Sequence, residues 1–214
     1  MPGENIVATT LRSLGNEDKV RATINEFGMP VGMDWSDYLV LLGRAYLVQA
    51  GTENAPIDTS PVDDAAVNML VDVPSGITAV LLEASCHIVD MTTGTAPEVM
   101  IEVDNAKVRY SSGGTAFTPL NLHTGKSNSS GCLAYVGPDV AAGAKSAGGS
   151  LEVARQTMGN DALATQVGSE NYNFLWTAKV NAITIVEGPG SIILHFGSET
   201  ADVTGYSQLK FAVL

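Results

Sequence analysis

Cysteine, aromatic rings, basic charge and long apolar runs are all scarce in this chain, and each scarcity removes a class of protein. Cys86 and Cys132 are the two cysteines among 214 residues. Their separation matches neither zinc nor thioredoxin spacing, so they set no disulfide or metal framework. Cys86 falls in the alternating run Leu82, Ala84, Cys86, Ile88 and reads as a small buried hydrophobe. Lys and Arg total 11 against 23 Asp and Glu, a formal charge of -12; a phosphate backbone is repelled by such a chain, which argues against nucleic-acid binding. No apolar run approaches the roughly 20 residues that span a bilayer, and Met1-Pro2-Gly3-Glu4 lacks the basic start and apolar centre of a secretory signal. We therefore expect synthesis in the cytoplasm, a soluble product and no membrane partner. Aromatic residues make up 6% of the chain, too few for a polysaccharide platform of several exposed rings. Trp176 lies in a run of alternating large residues and is expected in the core, whereas Trp35 sits where a terminal arm would meet the body.

Catalytic patterns are missing as well. Neither Ser150 nor Ser198 has the flanking glycines of a nucleophile elbow. The pairs Gly113-Gly114 and Gly148-Gly149 lead into neither a Lys-Ser/Thr pair nor a helix, so they read as turns, not as a phosphate cradle. His87, His123 and His195 stand far apart, without the paired histidines and carboxylate of a cupin-type metal site. His87 and His195 occupy the polar phase of their strands and are expected at the surface or rim. Asp58, Asp63, Asp64 and Asp72 gather near a proline-flanked loop; hard oxygens of this kind suit Ca2+, but no calcium-loop spacing accompanies them, and a solvated acidic rim is the expectation. Glu98, Glu102 and Asp104 are likewise expected on the outer face of a strand whose Val99, Ile101 and Val103 point inward. These readings give no enzyme, no cofactor and no metal site; a β-sandwich hydrolase would need residues that no local pattern reveals.

What is present is period-two alternation. A chain of this length with 45% hydrophobic content buries about 70% of its unfolded surface as one domain. Residues 1–35 differ from the rest: Asn16 caps an acidic first turn, Val20, Ile24 and Phe27 follow at helical spacing, and Gly28 and Pro30 end the run. A three-turn helix needs a partner for its stripe, and Leu11 and Leu14 extend that need. The arm packs either on its own body or on a neighbouring subunit. Candidate strands are Tyr38 to Gln49, Ala65 to Val73, Ile77 to Val89, Glu98 to Tyr110, Cys132 to Val136, Leu151 to Met158, Tyr172 to Thr177, Lys179 to Val186, Ile192 to Ser198 and Tyr206 to Val213. Gly137 to Ser150, dominated by Ala, Gly and Ser, reads as a flexible loop. The expected fold is all-β: an antiparallel two-sheet sandwich over residues 36–214, with a short helical arm over 1–35. An eight-stranded jelly roll is the expected closure, although immunoglobulin-like and tumour-necrosis-factor-like sandwiches give the same periodicity.

The long polar connection from Gly113 to Gly131 is held at Pro119 and by Leu120 and Leu122, then passes into the small hydrophilic run Ser127 to Ser130. Its step Thr118-Pro119-Leu120-Asn121-Leu122, followed by a Ser/Asn-rich run, resembles a motif in structural proteins of tailed-phage virions, with weaker likeness over Val71 to Val89 and Gly190 to Leu214. His123 and Lys126 stand where that motif has short polar residues. The resemblance implies a jelly-roll capsid, decoration, head-fibre or spike subunit that assembles as a trimer or pentamer, is located in the virion after synthesis in the host cytoplasm, and has itself and other capsid or virion proteins as partners. The alternative is a receptor- or carbohydrate-binding head of a fibre or spike. Either way the residues expected to make contacts are Leu11, Leu14, Val20, Ile24, Phe27, Trp35, Pro119 and Leu120.

Overall fold

A computed structural model describes residues 34–59, 62–63, 66–91, 96–158, 172–198 and 203–214. The chain divides into two units, 1–38 and 39–214; the helix candidate at 16–28, with Val20, Ile24 and Phe27, and also Leu11 and Leu14, lies outside the described residues.

The run expected to open a strand at Tyr38 is instead the end of a helix, α1 (Trp35–Leu41). Asp34 accepts hydrogen bonds from the Ser36 amide and hydroxyl, both at 3.0 Å, as an N-cap does. The C-terminal stop is a Schellman motif: the Arg44 amide donates to the Leu39 carbonyl at 2.9 Å and the Gly43 amide to the Val40 carbonyl at 2.8 Å, with Gly43 at φ 70°. A short apolar run such as Tyr38–Leu42 satisfies both helix and strand patterns, and here the flanking cap and glycine decide.

Fourteen strands follow among the described residues: β1 (Ala45–Ala50), β2 (Ile57–Thr59), β3 (Val67–Val73), β4 (Thr78–Met91), β5 (Glu98–Asp104), β6 (Tyr110–Ser112), β7 (Thr115–Phe117), β8 (Leu120–Asn121), β9 (Leu133–Ala142), β10 (Ser150–Thr157), β11 (Tyr172–Thr177), β12 (Thr184–Glu187), β13 (Gly190–Gly197) and β14 (Val203–Val213). All pair antiparallel. One sheet runs β11-β4-β14-β1-β8, with β12 also on β4 and β2 also on β14; the other runs β10-β5-β13-β3-β9-β6, with β7 also on β9. The fold is the expected two-sheet sandwich.

Its winding is more specific than the periodicity could say. With β6 to β9 set aside and the short β2 and β12 taken as continuations of β1 and β11, eight strands remain in chain order: β1, β3, β4, β5, β10, β11, β13 and β14. The first, eighth, third and sixth form one sheet, and the second, seventh, fourth and fifth the other. That interleaving is the double Greek key of a jelly roll. Residues 105–149 are then an insertion between β5 and β10, which pair directly with each other. The inserted chain crosses the outside of its sheet to add β9 beside β3.

Alternation places the core. Leu209 and Phe211 of β14, Ala84, Cys86 and Ile88 of β4, Ile192, Leu194 and Phe196 of β13 and Val99, Ile101 and Val103 of β5 face one another between the sheets. Trp176 and Phe174 join them, as their alternation predicts. Each fully buried Val, Leu, Ile or Phe among them contributes about 1.5–3 kcal/mol. Cys86 and Cys132 are free thiols in this interior. Burial raises Cys86 strongly, and it pushes Cys132 up to about 11 despite a hydrogen bond with Ser130. A thiolate is the reactive form, so Ellman's reagent should titrate no thiol within minutes in the native protein and two after denaturation; rapid reaction of either in native buffer would contradict this interior placement.

Two further expectations change. Gly137 to Ser150 is not all loop, because β9 continues to Ala142: Val67 pairs with Val140 and Met69 with Val136, so Gly137, Pro138 and Asp139 sit in a bulge. A bulge tolerates the missing proline amide, and Val140 is buried with Leu70 and Ile193. The candidate strand Glu98 to Tyr110 stops at Asp104, whose carboxylate accepts the Ala106 amide at 3.0 Å and turns the chain.

Candidate interaction surface

The segment Gly113–Gly131 connects the two sheets. Gly113 and Gly114 adopt φ 74° and 63°, a left-handed pair that side chains disfavour. They deliver β7 onto β9 of one sheet, with Thr115 opposite Val136 and Phe117 opposite Ala134. Thr118 and Pro119 make the crossing, and β8 then pairs with β1 of the other sheet, Leu120 opposite Leu47 and Asn121 opposite Tyr46. The chain thus closes one flank of the sandwich.

Beyond β8 the polar run is well tied. Asn121 accepts the His123 amide at 2.8 Å and donates its side-chain amide to the Gly43 carbonyl at 2.8 Å. The Leu122 amide donates to the Ala45 carbonyl at 2.9 Å, and the Leu122 side chain packs with Leu39, Val80, Leu82 and Ala212 on the outer face. Lys126 Nζ donates to the Leu42 carbonyl at 3.0 Å. The Tyr46 hydroxyl lies 3.1 Å from the Ser129 carbonyl and 3.3 Å from that of Gly43. Burial raises its pKa, with the neighbouring Cys132 adding to the rise and Arg44 opposing it. His123 Nδ1 accepts the Gly125 amide at 3.2 Å, so the side chains of His123 and Lys126 are both part of what holds this turn.

Of the residues expected to make contacts, Leu120 is 54% exposed, Pro119 beside it is half-buried and Trp35 in the first turn of α1 is exposed. Ser127 to Ser129 are exposed, whereas Ser130 is buried. Sequence reasoning missed Leu41 and Leu42, both exposed at the helix end that Lys126 contacts, and Leu175, Ile183 and Ile185 along the opposite edge. An apolar residue on the polar phase of a strand, as Leu175 is, was the available signal.

The insertion lies over a polar row on the outer face of β5, β13 and β3. Asp104, Ser191 and Asp72 stand side by side in register, and all are at most 5% exposed. Asp72 accepts the Ser191 hydroxyl at 2.6 Å and the Arg109 and Tyr110 amides at 3.0 and 3.3 Å. Asp104 accepts the Ser146 amide at 3.0 Å and the Ser146 hydroxyl at 2.7 Å. Glu102, one row along, is ion-paired with the fully buried Arg109, with Lys145 at 2.5 Å, and accepts the Ser150 hydroxyl at 2.9 Å. Arg109 Nε reaches the Gly143 carbonyl at 3.0 Å.

These contacts correct the expectation of a solvated rim for Asp72, Glu102 and Asp104: their strand phase is outward, but residues 105–149 cover that face. His195 is covered likewise, at 1% exposure, on the same outward face as Met100. His87 stays half-buried, hydrogen-bonded to Asn173, with its ring centroid 4.9 Å from that of Tyr206. Asp58 and Asp63 are exposed, unlike the buried Asp72, and Asp64 lies outside the described residues.

Burial alone would raise the Asp104 pKa, yet the bonds from Ser146 and Ala106 and the Arg109 charge outweigh it and hold the carboxyl below its usual value. Its stabilising effect is therefore complete above the unfolded value of about 3.9 and is lost as pH falls through the folded value. Urea unfolding should show stability dropping as pH falls below about 4, with a shallower drop in Asp104→Asn; identical slopes would remove Asp104 from the network.

Among the described residues no three His, Cys, Asp or Glu are placed to hold a metal ion, and no helix is long and apolar enough to cross a membrane. No protein-family model, curated protein or solved structure matches the chain.

Proposed function

We propose that the chain is a structural subunit of a tailed-phage virion, a capsid-associated or decoration protein that self-associates and attaches to the particle. The observation that carries this reading is the Gly113–Gly131 segment: the stretch that resembles a virion motif is the one that ties both sheets together and leaves Leu120 54% exposed. A jelly-roll winding supports it, since viral shells use that architecture. Nothing in the role requires a reacting group, only apolar surface for symmetry-related contacts.

In this reading Leu11, Leu14, Val20, Ile24, Phe27 and Trp35 grip the shell, and Pro119 and Leu120 meet a neighbouring copy. Native mass spectrometry should give a trimer or pentamer of the 22.3 kDa chain, or a whole-number multiple of one, and the protein should co-sediment with assembled capsids. A stable monomer that stays in the supernatant would overturn the proposal. Binding to a glycan array, with none to capsids, would make it a receptor-binding head instead.

A further inference from the structure

The lateral edges of the two sheets are unequally protected. Exposed edge strands template unwanted pairing and are normally blunted by brevity, charge or a bulge. The β8 edge is two residues long, and β6 and β7 are three each. The longer β10 has a bulge between Glu152 and Ala154, and its Arg155 is paired with Glu152 at 2.8 Å and Glu98 at 2.6 Å. Strand β11 has none of these guards. Its six residues carry no charge, its register on β4 is unbroken, and among the described residues nothing pairs with its other side.

The backbone polarity of β11 can be read from one bond. The Ala178 amide donates to the Leu82 carbonyl at 2.9 Å, so alternate residues back along the strand point their backbone groups toward β4, and Asn173, Leu175 and Thr177 point theirs away. The Thr177 carbonyl is taken up by the Val180 and Asn181 amides in the following turn. Asn173 and Leu175 remain as the outward-facing backbone of this edge. Around them, on the outer face or in the turn, Leu175 is 65%, Ile185 48%, Ile183 51% and Val180 84% exposed.

We propose that this edge pairs with the same edge of a second copy, β11 against β11 antiparallel about a two-fold axis at Leu175. Leu175 then faces its own counterpart, and Asn173 faces Thr177 of the other copy. The occupant follows from charge. Two chains of net charge -12 repel wherever acidic surfaces meet, and β11 offers an uncharged strand whose self-pairing places no like charges opposite each other. An antiparallel strand pair of identical sequence is isologous and closes as a dimer. This contact does not depend on the virion reading.

Sedimentation equilibrium of the full-length protein, with Leu175→Lys and Leu175→Cys, tests it. The wild type should form even-numbered species, a dimer by this contact alone and a hexamer or decamer where it joins two trimers or pentamers. Leu175→Lys should weaken the contact by roughly 30-fold or more with an unchanged circular-dichroism spectrum, and mild oxidation should cross-link Leu175→Cys into a dimer, since Cys86 and Cys132 are buried. A monomer at all concentrations, an oligomer indifferent to Leu175→Lys, or a Leu175→Cys thiol that alkylates without cross-linking would each overturn the pairing. Capsid co-sedimentation that survives Leu175→Lys would leave the virion reading standing by itself.

Discussion

Replacing Arg109 with methionine should lower the unfolding free energy by about 3–5 kcal/mol, the loss expected when one member of a buried ion pair is removed and the other is left charged in the interior. Arg109 and Glu102 are both about 1% exposed. The substitution also removes the Nε bond to Gly143. Lys145, at 2.5 Å, and the Ser150 hydroxyl remain to hold Glu102, which places the effect nearer the lower figure. Arg155→Met is the matched comparison. Arg155 pairs with two carboxylates, but 42% of its side chain is exposed, and exposed pairs contribute about 0–1 kcal/mol each. Urea titrations of the two variants at pH 7 should therefore differ severalfold in their change from wild type. Equal small losses would mean that the Arg109–Glu102 pair does not hold the insertion, leaving the Asp72 and Asp104 hydrogen bonds and the apolar contacts.

The same network shows where the sequence was readable. Strand β14, and β4 from Glu83 to Ile88, were legible because one face lies in the core and one largely outside, so burial follows the two-residue period. At Leu82 a bulge reverses the phase of β4, so that Ala79 and Leu81 enter the core while Val80 and Leu82, expected in phase with Ala84, join the outer cluster. In β5 the phase was equally clear, and Val99, Ile101 and Val103 do point inward. The environment of the other phase was not, because a carboxylate facing water and one facing a second layer of chain leave the same local pattern. The layer over Glu102 comes from residues 105–149, whose route depends on β9 pairing with β3 more than sixty residues away. Within Gly137–Ser150, read as loop, Gly149 lets that layer lie close: a Cβ there would come within 2.8 Å of the Ala106 side chain. Gly113-Gly114 was legible as a turn, and Gly113–Gly131 as a polar connection held at Pro119; that Thr118-Pro119 carries the chain from one sheet to the other was not, since the strands they join are set by distant pairings. The exposed Leu120 was named among the contact residues from the resemblance, not from its alternation.

Gly113 is where the backbone of that crossing is least tolerant. A Cβ at this position would lie 1.9 Å from the Asp139 carbonyl oxygen, and the residue adopts φ 74°. The opposing atom is backbone of the bulged part of β9, which is fixed on one side by Val140 in the outer cluster and on the other by the Met69–Val136 pair. Gly113→Ala should therefore cost roughly 2–5 kcal/mol, combining left-handed strain with displacement of a paired strand. Gly76→Ala separates the two contributions: its φ is 85°, yet nothing lies within 4 Å of the added Cβ, so only strain of about 1–3 kcal/mol applies. Hydrogen exchange gives the finer reading. In Gly113→Ala the amides of β7 should lose protection first, because β7 is three residues long and, among the described residues, pairs with β9 alone, while β4 and β14 keep theirs. If β7 is released but the oligomer and capsid attachment persist, the crossing is a brace and the contacts lie elsewhere; if all three fail together while the sandwich stays folded, the segment that ties the sheets is also the surface that meets the neighbour.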